Sequence, residues 1–400
     1  MTTLLVTQHY IPDVTSTAAY MATIAHEMSR DDEVVVLSGT PGSSNASGKP
    51  RVIELPNWNP PKHALFRRSL AMIMFGAGVF VSVLRWSTPT TPVIVVTTPF
   101  LLPYVAVLAA WLKRGRTALI VYDLYPEALV NSGLTAEASL PARLIRRMNE
   151  WLYNKLDAIV IIGRDMEKHF AGYRAPTADK LVYIPNWATL PACVRPFDPA
   201  SPYRENSRKP FVVGLSGNLG FTHDPDTVFA AAQNLINEPN VLFLLSGWGV
   251  GWERLKRLQQ EAKLPNVRII ERVPEEHLDG FLAAADVWII PYRKHMAGIS
   301  VPSRLYNLLA IGRPIIALAE PDAEHALMLN EHDAGWVVPP ENPAALADTI
   351  RRAAAEPTLA TEKGRRAVSI IASRFTREAA SAAYRALAQQ LRRSNTAARS

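Results

Sequence analysis

The chain has 400 residues, 20% of them charged and 48% hydrophobic, with 31 prolines spread rather than clustered; it is long enough for two or three cores, and this composition excludes a disordered or fibrous protein. A formal charge of +7, without a dense Lys/Arg run interleaved with aromatics, argues against nucleic acid and for an anionic small substrate or an anionic membrane surface. The single cysteine, Cys193, excludes an internal disulfide framework and a multi-cysteine metal site, and with them a disulfide-stapled secreted domain.

The opening strand-like run TLLVT leads straight into QHYIPD, without the basic segment or cleavage site of a secretory leader, so a cytoplasmic protein is expected. The β-branched runs EVVVLS, VIVVTT, ALIVYD, AIVIIG and LVYIPN follow, and after them FVVGLS, VLFLLSG, VRIIERV, VWIIPY, PIIALA and GWVVPP, each separated from the next by a helical pattern or a turn. Near-continuous apolar runs of this length are parallel strands buried on both faces. Two such series predict an α/β protein of two Rossmann-like, doubly wound parallel-sheet domains, residues 1–190 and 210–374, facing across a cleft. The polar, proline-rich stretch 191–209 has no periodicity and reads as the linker, and residues 375–393 as an amphipathic helix packing back on the first domain. Ser69–Leu84 is uncharged but short for a membrane span; Trp86–Leu112 is longer but broken by Pro89, Pro92, Pro99 and Pro103, and reads as strand, loop and helix.

Paired open α/β sheets bind ligands at the carboxyl ends of their strands, and the sharpest motifs stand there. In GLSGNLGFTHD, Gly217 and Gly220 remove Cβ atoms so that main-chain N–H groups can approach a phosphate ahead of a helix. The pattern is neither the dinucleotide fingerprint nor a Walker loop, since no lysine follows; a turn that serves strand–helix packing alone is the plainer alternative. In SGWGVGWERL, Ser246, Gly247, Gly249 and Gly251 would admit a planar ring or a phosphate, and the backbone edge at Arg272–Val273 could recognise a nucleobase, unless these are only a strand end and a helix cap. In AGISVPSRLYNLLAIGRPIIAL, Pro302 suits a first helical turn, whose free N–H groups with Gly298, Ser300, Val301, Ser303 and Arg304 would form an anion site, with Asn307 one turn further in.

The order and spacing of HYIPD, DLYPE, IPNW, SGNLG followed by HD, LSGWG, ADVWIIPY, SVPSRLYNLLAIGRPII and GWVVPPENPAALADTI resemble, over nearly the whole chain, the family-four retaining glycosyltransferases of the two-Rossmann GT-B fold, especially the bacterial subgroup that builds O-antigen, capsule and exopolysaccharide. The resemblance implies transfer of a hexosyl or N-acetylhexosaminyl group from a nucleoside diphosphate sugar, with UDP as the expected nucleotide, to a lipid-linked or other saccharide acceptor. It implies net retention by front-face attack, with the leaving diphosphate helping to deprotonate the acceptor, and peripheral binding to the inner face of the cytoplasmic membrane. In the family an Arg and a Lys usually hold the diphosphate after the first strand of the second domain. Asn218 and His223 stand at those places here, so the phosphates are expected to meet the glycine-loop amides, His223 and the Ser300–Arg304 turn. The family's two glutamates, spaced by seven residues, fall on Ile299 and Asn307; main-chain amides of 298–301 would face the donor, and Asn307 a ribose hydroxyl.

In the first domain Asp123 occupies the place of a donor-facing histidine in many relatives. Asp123 and Glu127 are the candidates for an acceptor-side base or for stabilising positive charge on the sugar, against the alternative of a strand-end turn and an exposed helix start. Relatives often have two glycines where this chain has VTST; Thr15, Ser16 and the helix amides behind them would bind an acceptor phosphate, and His9 would line the cleft or serve structure alone. Arg67, Arg68 and Arg85 bracket Ser69–Leu84, and RLIRRMNEWLYNKL (143–156) is a second basic helix, as expected for a membrane surface; an ordinary core helix is the alternative. His63, His169 and His332 give no metal-ligand spacing and no DxD-type acidic pair stands after a strand, so no metal or other cofactor is expected. The rival readings are a non-hydrolysing sugar epimerase or phosphorylase of the same architecture and an inactive nucleotide-binding subunit.

Overall fold

The computed structural model describes residues 2–45, 48–58, 65–198, 201–204 and 211–397. His63, part of the 191–209 segment and the last three residues lie outside them, as does the side chain of Arg68. The chain forms two compact units: Met1–Glu127, Thr135–Asn186 and Arg377–Ser400 make the first, Ala128–Leu134 and Trp187–Thr376 the second.

The first unit holds strands β1 (Thr2–Thr7), β2 (Glu33–Ser38), β3 (Arg51–Glu54), β4 (Val93–Val96), β5 (Thr117–Val121), β6 (Ala158–Ile161) and β7 (Leu181–Tyr183), all parallel, in the order β3-β2-β1-β4-β5-β6-β7. Its crossover helices are α1 (Ser16–Met28), α2 (Leu65–Trp86) and α3 (Leu102–Leu112); α4 (Glu127–Asn131), which passes into the second unit at Ala128, and α5 (Leu140–Lys155) and α6 (Glu167–Phe170) of the first unit follow β5 and β6. The runs VIVV and TALIV are buried along their whole length, as strands covered by helices on both faces must be.

The second unit holds β8 (Phe211–Asn218), β9 (Val241–Trp248), β10 (Val267–Ile270), β11 (Val287–Pro291), β12 (Ile315–Leu318) and β13 (Gly335–Val338), parallel, in the order β10-β9-β8-β11-β12-β13. Among them run α7 (Pro225–Asn234), α8 (Val250–Ala262), α9 (Leu278–Ala283), α10 (Arg304–Ala310), α11 (Glu324–Glu331), α12 (Pro343–Ala355) and α13 (Pro357–Arg374). Asp224 caps α7 through Thr227 N–H at 3.1 Å and Asn342 caps α12 through Ala345 N–H at 3.0 Å, each followed by proline at the first turn; both junctions are legible helix starts. Gly214 in β8 lies against the Trp288 ring, which a Cβ there would meet at 2.5 Å.

The proline-rich segment is less of a free linker than its composition predicts. Cys193 N–H donates to the Ala310 carbonyl at 2.9 Å and Arg195 N–H to that of Ile311 at 3.0 Å, while Val194 packs on Gly312. The last helix, α14 (Arg377–Ala397), belongs to the first unit. It packs on α1, with Arg392 paired to Asp32 at 2.6 Å and donating to Thr3 Oγ1 at 2.5 Å.

Candidate functional site

In the second unit β8 and β9 run in register to their carboxyl ends, with Gly217 opposite Gly247 and Asn218 opposite Trp248. Gly217 has φ +97° and Gly249 φ +102°, which side-chain-bearing residues adopt only under strain. A Cβ on Gly247 would sit 2.2 Å from the Gly217 carbonyl oxygen, and one on Gly249 2.5 Å from Asn218 Oδ1. Close approach of the two strand ends therefore accounts for Gly247 and Gly249, and the left-handed backbone for Gly217. It does not account for Gly220, whose Cβ would have ordinary room at 3.7 Å from Asn218 Nδ2. The neighbouring amides are spent, Leu219 N–H on the Trp248 carbonyl at 2.8 Å and His223 N–H on Gly220 at 3.2 Å.

The cation missing after the glycines arrives from elsewhere in the chain. Arg304, the first residue of α10, donates from its guanidinium to the carbonyls of Ser216 and Asn218, and its Nη2 lies 3.2 Å from His223 Nε2. A guanidinium can only donate, so that ring nitrogen accepts, and Nδ1, 3.2 Å from Thr222 Oγ1, carries the proton. Burial, and after it the positive charge of Arg304, holds His223 well below the ordinary histidine value, and burial draws Arg304 down to about 10. The site thus presents the half-buried Arg304 cation against the loop carbonyls and a neutral imidazole beside it.

The turn that leads to Arg304 contains Gly298 at φ +78°. Ile299 and Val301 point their side chains into the core, and Ser300 Oγ lies 3.2 Å from Tyr292 OH. The helix expected to open at Pro302 begins instead at Arg304 and lasts seven residues, with Ser303 as its uncapped predecessor. Asn307 is already engaged: Oδ1 accepts from Thr189 N–H at 2.8 Å and Leu190 N–H at 3.2 Å, and Nδ2 donates to Thr189 Oγ1 at 2.9 Å. Beside the glycine loop, Ser246 Oγ donates to the Glu271 carbonyl at 2.9 Å, and the next residue, Arg272, with Val273 behind it, lays its guanidinium 4.2 Å over the ring of Trp248, itself 43% exposed. Trp248, a tryptophan between two glycines at a strand end, offers an exposed ring face here, and the motif reading did not single it out.

In the first unit Asp123 follows β5, half-buried, with its N–H 3.4 Å from Thr97 Oγ1. Burial pushes its carboxyl up from 3.8 to about 6, as expected where desolvation disfavours the charge. Glu127 opens α4 with Oε1 3.7 Å from Arg146 Nη2 and Oε2 buried without a partner among the described residues. The Asp123–Glu127 loop is held by buried Asn149 of α5, which accepts from Tyr104 OH at 2.6 Å and donates to the Tyr125 carbonyl at 2.6 Å and to Tyr173 OH at 3.0 Å. His9 and Thr15 are joined by a residue the sequence reading did not single out: Asp13 Oδ2 lies 2.6 Å from His9 Nδ1 and Oδ1 accepts from Thr15 N–H at 3.0 Å. Thr15 Oγ1 caps α1 at Ala18 N–H, 3.3 Å, and Ser16 is exposed beside it.

Helix α2 is apolar on two faces. Ala71, Phe75, Val79 and Val83 are buried, while Leu70, Ile73, Met74 and Val81 are exposed, Ile73 and Val81 at 62%. The neighbouring α3 exposes Leu108, Trp111 and Leu112, and Arg67, Arg85, Lys113 and Arg114 are exposed at the helix ends. Among the described residues no helix is long and apolar enough to cross a membrane, and no group of three or more His, Cys, Asp or Glu is gathered as metal ligands would be.

Two family descriptions match the chain: glycosyl transferase 4-like domain over residues 16–187 and glycosyl transferases group 1 over residues 210–356. Over 368 residues the chain is 30% identical to the probable glycosyltransferase WbjE of Pseudomonas aeruginosa, covering 88% of this chain and 89% of that protein. It is 26% identical over 318 residues to the putative colanic acid biosynthesis glycosyl transferase WcaI of Escherichia coli K12, covering 76% and 77%. Among solved structures it resembles Anabaena HepE in complex with UDP and glucose, with a TM-score of 0.70, 17% identity and coverage of 98% and 99%.

Proposed function

The chain belongs to the glycosyltransferases, with the GT-B fold of two parallel-sheet α/β units, and from that premise we propose that it moves a hexosyl or N-acetylhexosaminyl group from a UDP-sugar, with retention, to a lipid-linked saccharide in bacterial surface polysaccharide synthesis. The names of the curated relatives and the UDP held by HepE support the polysaccharide and the nucleotide. The observation that carries the reading is Arg304 bound to the two glycine-loop carbonyls beside neutral His223. A guanidinium on the carbonyl side of a loop turns its positive ends outward and neutralises a diphosphate without a lysine. Gly217, Asn218, Gly220, His223 and the 298–304 turn are assigned to the diphosphate, with no metal, and Ser246, Gly247, Gly249, Trp248 and Arg272–Val273 to the nucleoside. Asn307 is assigned to holding the 189–190 segment, because a ribose contact would cost its present bonds to Thr189 and Leu190.

On the acceptor side Asp123 is the candidate base, with Glu127 behind it. The acceptor oxygen bonds to the anomeric carbon as the bond to the diphosphate breaks, and the acceptor proton leaves to Asp123 or to the departing phosphate. A carboxyl raised to about 6 is ionised at neutral pH yet still a competent proton acceptor. His9, Thr15 and Ser16 border the same strand ends, but Asp13 places a carboxylate where an acceptor phosphate was expected; the acceptor group there is better read as a sugar hydroxyl. The two-faced apolar helix α2 with its basic ends is read as the membrane-contacting surface.

The test is to incubate the protein with UDP-sugars and membrane lipid extracts and follow UDP release and product by NMR. An α-linked product from an α-linked donor, formed only with acceptor, is expected. UDP binding without transfer to any acceptor, or turnover of the donor alone, would overturn the reading.

A further inference from the structure

Beyond β12 the chain runs through Glu320 into the first turn of α11, where His325 is only 3% exposed. Neither ring nitrogen of His325 has a hydrogen-bond partner among the described residues, which is unusual for a buried imidazole. Its ring lies 5.1 Å from that of Tyr292, which in turn lies 4.7 Å from His223. His325 is therefore the inner end of a stack whose outer end touches Arg304. Glu320 is only half-used. One of its oxygens accepts from His295 N–H, at a left-handed residue (φ +64°) in the turn that leads to Gly298. The other, Oε2, is buried with no partner among the described residues.

These unspent groups stand beside a deficit. In the turn before Arg304 the side chain of Ile299 is fully buried, and one turn into α10 the Asn307 amide is occupied by Thr189 and Leu190. Neither offers a polar group to a sugar. We propose that Glu320 and His325 hold the hydroxyls of the donor hexose and set which sugar is accepted; this rests on the donor-site reading above. A carboxylate oxygen accepts from a hydroxyl, and an imidazole with one donor and one acceptor nitrogen matches a hydroxyl's own pair. Burial holds His325 down to about 4, so at neutral pH it has that complement. Recognition built on such groups is selective, because the wrong sugar leaves them buried and unpaired.

The experiment compares wild type, Glu320→Gln and His325→Gln by calorimetry with UDP, UDP-glucose, UDP-galactose and their two N-acetyl counterparts. Gln at 320 keeps an oxygen for His295 N–H while changing the free acceptor into a donor, so the turn is preserved. The best-bound UDP-sugar should lose tenfold or more in affinity in each variant, with UDP itself changed less than threefold. Because the ratio of UDP-sugar to UDP affinity is read within one protein, a general loss of stability does not mimic the effect. An unchanged ratio with intact UDP binding would overturn this proposal alone; a wild type that binds neither UDP nor any UDP-sugar would overturn it together with the donor-site reading.

Discussion

Replacing Asp123 by asparagine should make the protein more stable and less active, each with its own pH dependence. Burial raises the Asp123 carboxyl from 3.8 to about 6, so the fold prefers the protonated group. That preference is fully expressed below pH 3.8 and is lost as pH rises through about 6. Above it the ionised carboxylate costs about 3 kcal/mol relative to the protonated one, at about 1.36 kcal/mol per pH unit. Asparagine has the protonated group's shape and no charge. The stability gap between Asp123→Asn and wild type should therefore widen by roughly 2–3 kcal/mol between pH 4 and pH 8. Urea denaturation followed by fluorescence reads the gap directly. In the same window wild-type kcat/KM should rise with an apparent pKa near 6, and the variant should lose that limb together with a factor of about 10²–10⁴ in kcat. A gap that stays constant with pH, or a wild-type profile flat through pH 6, would refute the reasoning.

Gly247→Ala puts a methyl 2.2 Å from the Gly217 carbonyl, a backbone atom that cannot swing aside, and should cost about 1–3 kcal/mol in urea denaturation; wild-type stability would mean the strand ends are not packed as described. Arg304→Ala should weaken UDP roughly 10- to 100-fold in calorimetry, the worth of charge-assisted hydrogen bonds, and uridine much less; equal losses for both ligands would count against a phosphate role. Truncation after Thr376 removes α14, with the Arg392–Asp32 pair at 2.6 Å and buried Tyr384, Leu387 and Leu391. The first unit should then melt at lower temperature while the second keeps its UDP affinity. Ile73→Asp with Val81→Asp, both on the exposed face of α2, should abolish sedimentation with anionic vesicles and leave the melting temperature within a few degrees; unchanged vesicle binding would remove α2 as the membrane surface.

Much of the fold is local and was legible. Runs such as VIVV and TALIV are too apolar for any place but a covered parallel sheet, and Asp224-Pro225 and Asn342-Pro343 mark helix starts by their chemistry. The Pro302 carbonyl does accept from Leu305 N–H at 3.0 Å, but the regular helix begins at Arg304, whose guanidinium reaches the glycine loop, 88 residues earlier. That reach is tertiary and leaves no mark in either segment. The glycines are visible as a group, but which of them serve packing follows only from how β8 and β9 meet. Asn149, Asp13, Glu320 and His325 escaped notice for a related reason: each looks like an ordinary helix or loop residue until its distant or missing partners are known. Asn307 was seen, and its place on a helix turn said nothing of the 189–190 segment that occupies its amide.

The most direct measurement is a crystal structure of the protein with UDP. The account predicts the diphosphate within hydrogen-bonding distance of the main chain at Gly217–Gly220 and beside His223 and Arg304, with the uracil against Trp248 and Arg272–Val273. A diphosphate bound away from both the glycine loop and Arg304 would contradict it.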